Sequence, residues 1–182
     1  MNDRAYLPRH AAHLLQRALE VSPVVVLMGA RQTGKSTLVQ SEPFLAESPG
    51  RLYLTLDDLT VRERARTHPE ELLRSAPRLT LDEIQREPDL ILALKRVVDQ
   101  DRPRQPGRFV VTGSANLLLM QRISETLAGR ATYVTLWPLT RREKLGLGTA
   151  GIWSALLKTP SAEWADLLRD QTVDPGDWRA EA

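Results

Sequence analysis

The sequence predicts an α/β fold of three layers, a parallel sheet with helices on both faces. Three observations predict it. Near-continuous apolar runs of strand length alternate with segments of helical period, the pattern of strands buried on both sides. The stretch Gly29-Ala30-Arg31-Gln32-Thr33-Gly34-Lys35-Ser36 fits G-x-x-x-x-G-K-[ST] and directly follows the apolar run Val24–Met28. That loop works only between a strand and a helix, so it marks a βα unit. A second short strand, Arg78-Leu79-Thr80-Leu81, ends in two adjacent carboxylates, Asp82 and Glu83.

Taken in order, a helix with Leu14, Leu15, Ala18 and Leu19 leads into a first strand over Pro23–Met28. The phosphate loop follows, and Ser36-Thr37-Leu38-Val39-Gln40 suits the helix after it. Strand two spans Arg51–Leu56. Two helices with capping-box starts come next, Thr60-x-x-Glu63 and Thr67-x-x-Glu70. Strand three is Arg78–Asp82. The following helix carries Leu90, Ile91, Leu94, Val97 and Val98 on one face. Its proline and glycine make Asp101–Gly107 a loop. Strand four is Arg108–Thr112, a helix runs near Asn116–Leu127, and strand five is Ala131–Leu136. In the last quarter, Trp153–Leu157 and Trp164–Leu168 each place three large apolar groups at i, i+3, i+4. They read as two short helices packing on a core, the second started by Pro160.

The loop carries the chemistry. Gly29 and Gly34 permit backbone conformations that a Cβ would block. The N–H groups of Gly29, Ala30, Arg31, Gln32, Thr33 and Gly34, with Lys35, Ser36 and Thr37 opening the helix, form an anion nest. Lys35 supplies a charge for the β- and γ-phosphates, and the Ser36 hydroxyl a ligand for a phosphate-bound Mg²⁺. Asp82, at the end of a neighbouring strand, suits the Mg²⁺ shell opposite Ser36. Side chains alternate along a strand, so Glu83 projects differently from Asp82 and suits a carboxylate that polarises water. Thr112 and Ser114, at the end of strand four, are candidates to sense the γ-phosphate; Ser114 or Asn116 would equally cap the next helix. No Asn-Lys-x-Asp motif reads guanine, so ATP is favoured over GTP.

Composition narrows the class. At 182 residues the chain suits one domain that buries roughly 70% of its unfolded surface. It has no cysteine, which removes disulfides, thiolate zinc sites and thiol catalysis. The N-terminus has no apolar signal core and Val24–Met28 is far too short to span a bilayer, so the expected setting is the cytoplasm, away from membranes. Twenty-five basic residues against twenty-three acidic ones leave +2, and the basic groups are short and interleaved with acids or prolines. Solvated faces explain them more simply than a nucleic-acid groove. His10 and His13 lack a carboxylate partner before Glu20, which argues against a metal site there.

Several segments together resemble one family. They are Tyr6-Leu7-Pro8-Arg9, the phosphate loop, Leu81-Asp82-Glu83-Ile84-Gln85, Thr112-Gly113-Ser114, Leu127-Ala128-Gly129-Arg130 and Leu136-Trp137-Pro138-Leu139-Thr140. The chain resembles, over about residues 5–145, the prokaryotic AAA+-type ATPases whose ATPase domain precedes a C-terminal domain of unknown function. The resemblance implies ATP with Mg²⁺, a P-loop NTPase fold of the additional-strand (ASCE/AAA+) type, and strand order 5-1-4-3-2. It also implies that Arg130, just before strand five, reaches the γ-phosphate of a neighbouring subunit, hence a homo-oligomer; a helix-end surface arginine is the plainer alternative. The ATPase domain would span 1–136 and a short helical extension 137–182, the start of a lid or of the C-terminal domain. Measured against that family the sequence reads as truncated or split. Two function classes follow: an ATPase that moves an attached domain, and a nucleotide-gated binding module with negligible turnover. The partner, protein or nucleic acid, is not indicated.

Overall fold

The computed structural model describes residues 6–101, 103–114, 117–146, 156–157 and 159–169. Helix α1 (Ala12–Val21) precedes β1 (Val24–Gly29), then α2 (Lys35–Val39), α3 (Glu42–Ala46) and β2 (Arg51–Thr55). Next come α4 (Leu59–Thr67), α5 (Pro69–Leu73), β3 (Arg78–Asp82) and, after a 3₁₀ turn at Ile84–Arg86, α6 (Leu90–Gln100). The strand β4 (Phe109–Ser114), α7 (Leu117–Thr126), β5 (Ala131–Thr135) and α8 (Arg141–Lys144) follow, with α9 (Trp164–Arg169) last among the described residues.

The five strands form one parallel sheet in the order β2-β3-β4-β1-β5, the order expected. Central β1 is buried at every residue, and alternation divides it between two cores. Val24, Val26 and Met28 join Leu79, Leu81, Phe109 and Val111 against α4 to α7. Val25, Leu27, Val110 and Val134 pack with Leu15 and Ala18 of α1 and Leu38 and Val39 of α2. Each buried aliphatic group contributes about 1.5–3 kcal/mol. The strand that delivers the phosphate loop is therefore clamped from both sides.

Four expectations are corrected. Strand β4 runs two residues beyond Thr112, through Gly113 and Ser114, because it pairs with β1 in a register that sets Ser114 beside Gly29. Helix α3 was not anticipated. The boxes at Thr60 and Thr67 do not form: Asp58 caps α4, its Oδ1 accepting from the N–H groups of Thr60 (2.7 Å) and Val61 (3.3 Å). An ionised carboxylate one residue before the first turn is the better acceptor. Thr67 instead donates to the Glu63 carbonyl (2.9 Å), and α5 begins at Pro69 without a side-chain cap. A capping box does form at α8, between Thr140 and Glu143. In the tail, Trp164 and Leu168 of α9 are exposed, at 41% and 53%, and the Trp164 indole donates to the Thr159 carbonyl (2.9 Å). That segment closes on itself instead of on a core. Leu156 is buried and Leu157 exposed, while Trp153–Ala155, Trp178 and Asn116 lie outside the described residues.

Candidate nucleotide-binding site

The site lies at the carboxyl edge of the sheet, where open α/β sheets hold ligands. Strand β1 ends at Gly29, and a Cβ there would clash with the Leu136 carbonyl, since the chain leaving β5 crosses the base of the loop. The Leu136 N–H donates to the Met28 carbonyl (2.6 Å) and fixes that crossing. Gln32 (φ 62°) and Gly34 (φ 88°) turn the loop through left-handed conformations, and Thr33 Oγ1 donates to the Ala30 carbonyl (3.0 Å). Buried Lys35 folds back over the loop, its Nζ donating to the carbonyls of Ala30 (2.8 Å) and Gly29 (3.2 Å). Helix α2 has no side-chain cap, so its first N–H groups are left to the loop's concavity.

Asp82 is 3% exposed and accepts three hydroxyl hydrogen bonds. Ser36 Oγ (2.8 Å) and the Tyr53 hydroxyl (2.6 Å) reach Oδ2, and Thr112 Oγ1 reaches Oδ1. Burial, then the bond to Asp82 and its charge, raises the Tyr53 phenol above its ordinary range and keeps it a donor. Asp82 makes no ion pair among the described residues. Thr112 is fully buried and its single proton goes to Asp82, while its oxygen accepts from the Glu83 N–H (3.2 Å). It stands behind the acids as a strut rather than facing the cleft.

Glu83 leaves the strand in a left-handed conformation (φ 61°), which turns its side chain away from that of Asp82. The Gln85 amide donates to the Glu83 carboxylate, and Gln85 Oε1 accepts from the Ser114 N–H (3.3 Å). Glu83, Gln85 and Ser114 thus form one wall of a cavity of about 350 Å³, opposite Arg31, Gln32 and Lys35. On the other side of the loop, a cavity of about 300 Å³ has Tyr6, Leu7, Pro138 and Leu139 as its apolar walls and Gln32, Thr33, Gly34 and Thr37 as its polar rim.

Between the loop and this second cavity sits Arg9, 7% exposed. It donates to the carbonyls of Thr33 (2.6 Å) and Trp137 (2.5 Å) and to Glu143 Oε1 (3.2 Å). Glu143 also accepts from the N–H groups of His10 (2.6 Å) and Thr140 (2.7 Å). Burial would raise its carboxyl, but the bonds from Thr140 and His10 and the Arg9 charge outweigh that and hold it at about 2. Residues 137–143, expected to begin an extension, are therefore tied to the loop itself.

Arg130 lies elsewhere. Its carbonyl accepts from the Val24 N–H (3.3 Å), at the amino edge of the sheet, about 16 Å along β1 from the phosphate loop. Its guanidinium forms a two-pronged pair with Asp99 of α6, at 2.6 and 2.9 Å. The structure thus unites Gly29 to Thr37, Asp82, Glu83, Thr112 and Ser114, and leaves Arg130 outside. Arg9, Tyr53 and Glu143 are the residues that sequence reasoning missed. The capping signature Thr140-x-x-Glu143 was the one local signal for the last of them.

A family model described as an AAA domain matches residues 21–145. The chain belongs to the AAA domain family. The matched stretch runs from the end of α1 to just past α8, so it takes in Glu143 as well as the acids and the loop. Two curated relatives, uncharacterized proteins of Mycobacterium tuberculosis and Mycobacterium bovis, are each 36% identical over 174 residues. These alignments cover 87% of this chain and 37% of each relative, so the chain spans little over a third of the relatives' length. Among solved structures, the Walker-type ATPase of Pyrococcus abyssi aligns with TM-score 0.54 and 14% identity, covering 92% of this chain and 64% of its own. AMPPCP-bound DnaA from Aquifex aeolicus aligns with TM-score 0.50 and 15% identity, covering 88% and 55%. At such identities the likeness is one of fold alone.

Proposed function

We propose that this AAA domain binds ATP with Mg²⁺ and hydrolyses it, coupling binding or turnover to movement of an attached segment. One observation carries the reading: the Ser36 hydroxyl lies 2.8 Å from a buried carboxylate, Asp82, whose charge no side-chain cation balances among the described residues. A buried anion without a counter-charge is costly, and a divalent ion shared by Ser36, Asp82 and phosphate oxygens would offset it. When bound, Mg²⁺ neutralises charge on the phosphoryl oxygens. The chain's own part is positional. The loop amides and Lys35 hold the β- and γ-phosphates, the cavity walled by Tyr6, Leu7, Pro138 and Leu139 takes the base, and Ser114 faces the terminal phosphate. Thr112 acts through Asp82 and Glu83. Glu83 takes a proton from the attacking water in this reading. Glu83→Gln should keep Mg·ATP affinity and lower turnover on the order of a hundredfold, the scale of one general base. Equal turnover in calorimetry-matched samples would return Glu83 to a structural role.

A second reading, a nucleotide-gated module with negligible turnover, has its own support: the Gln85 amide already holds the Glu83 carboxylate. Phosphate release by the wild type at saturating Mg·ATP decides between the two.

Arg130 is too far from its own loop to serve it, so any nucleotide contact is in trans, in a homo-oligomer. Activity per molecule should then rise with concentration, and Arg130→Ala should lose turnover while keeping ATP binding. Flat specific activity across a dilution series, with the variant unchanged, would leave Arg130 as the partner of Asp99. The absence of cysteine, and of any membrane-length apolar helix among the described residues, supports a cytoplasmic setting.

A further inference from the structure

At the amino edge of the sheet, opposite the phosphate loop, lies a cavity of about 400 Å³. Its lining includes the first residues of β2 and β3, Arg51 and Arg78, together with Gly107, Glu20 and Glu47. Arg51 is half-buried and has no carboxylate partner among the described residues. Its Nη1 donates to the carbonyls of Leu79 (3.1 Å) and Arg108 (3.5 Å), and its Nη2 to that of Gly107 (2.5 Å). A guanidinium has five N–H donors, so two remain, one on Nη2 and one on Nε, and Nε is buried without a partner. The Phe44 ring, 5.8 Å from the guanidinium carbon, offers only its π-face. The Arg78 side chain makes no hydrogen bond or ion pair among the described residues, and the two glutamates pair with neither arginine.

Parallel register forces this arrangement, because Arg51 and Arg78 are direct partners across β2 and β3. Like charges at adjacent strand starts repel, and burial together with the Arg78 charge lowers the Arg51 pKa to about 10. Two guanidinium groups held side by side, neither paired with a carboxylate among the described residues, supply the charge and donors of an oxyanion subsite.

We propose that this cavity is a second anion site, separate from the phosphate loop, which takes a small oxyanion, phosphate or carboxylate, between Arg51 and Arg78. Arg51 is the fixed half, stitched to three carbonyls; Arg78 is the exposed half that closes on the ligand. The two glutamates limit the affinity and favour small ligands over extended polyanions.

The test is titration with inorganic phosphate, read by amide NMR at Gly107 and, separately, at Gly34 of the phosphate loop. A saturable shift at Gly107 is expected in the wild type and in Lys35→Ala alike, whereas Gly34 responds only in the wild type. Arg78→Ala should weaken the Gly107 response by about tenfold, the scale of one charged hydrogen bond. Arg78→Lys should restore most of it, and Glu47→Gln should tighten it about twofold. Competition by malonate assigns carboxylates to the site, and its failure assigns phosphates. No saturable shift at Gly107 would overturn the proposal, as would loss of that shift in Lys35→Ala or an unchanged phosphate affinity in Arg78→Ala. None of these outcomes depends on whether the loop binds ATP.

Discussion

Two carboxylates are buried beside the phosphate loop, and they are held by different kinds of partner. Asp82 and Glu143 are 3% and 4% exposed, and each accepts several hydrogen bonds. Those to Asp82 come from three hydroxyls, so its charge is solvated but not balanced. Glu143 is bonded by two backbone N–H groups and paired with Arg9, so its charge is balanced within the protein. On the proposed function, the difference separates a ligand for the metal from a structural tie. A neutral donor set leaves a negative charge for an incoming cation, whereas a guanidinium uses it to join the chain's opening, the loop and the segment after β5.

Exchanging each charge for an amide tests that contrast most strongly. Asp82→Asn should weaken the Mg²⁺-dependent part of ATP affinity on the order of a hundredfold, about 3 kcal/mol, because the ion loses its one protein carboxylate. Its melting temperature without nucleotide should hold or rise, since an uncompensated buried charge is removed and hydroxyls can turn to accept from the new amide. Glu143→Gln should do the reverse, melting earlier because Arg9 is left buried and unpaired, with Mg²⁺ dependence retained. Calorimetry with and without Mg²⁺, beside thermal melts, checks both, and a swapped pattern would break the comparison.

Acid sharpens it. The Glu143 carboxyl is held at about 2 in the folded chain, against 4.5 ordinarily, so the unfolded state binds its proton first as pH falls. The stability it contributes, roughly 3 kcal/mol, is fully present above pH 4.5 and is lost progressively as pH falls toward 2. Chemical denaturation across that window should show this slope in the wild type and a much shallower one in Glu143→Gln.

What the sequence made legible follows from how local each signal was. The sheet could be read because β1 is buried on both faces and reads as an unbroken apolar run, and because the phosphate loop constrains what stands on either side of it. Asp82 and Glu83 were legible as adjacent acids at a strand end. Their separation was not, since it arises from a left-handed turn at Glu83 that residue type does not announce. Strand β4 ran on because of its pairing with β1, against the low strand propensity of Gly113. Asp58 displaced the expected caps by lying two residues upstream of Thr60. Arg9 and Glu143 are 134 residues apart, and no local pattern links them. Thr112 was read as facing the γ-phosphate, whereas it lies buried behind Asp82, because its facing depends on the strand beside it.

The smallest effect belongs to Tyr53. A tyrosine in a strand reads as ordinary β-propensity, yet its hydroxyl shares Asp82 Oδ2 with Ser36. Tyr53→Phe removes one donor and leaves the ring in place, so the loss is one hydrogen bond to a charged group, about 1.5–3 kcal/mol. Freed of that donor, Oδ2 becomes a stronger ligand but a less firmly oriented one. Mg²⁺ affinity in the presence of ATP should therefore change by less than threefold, while turnover falls about fivefold through looser placement of the carboxylate. A drop in Mg²⁺ affinity as large as that of Asp82→Asn would mean that Tyr53 holds Asp82 in place single-handedly. The three hydroxyls would then no longer count as equivalent partners, and the neutral cage around Asp82 would depend on one residue.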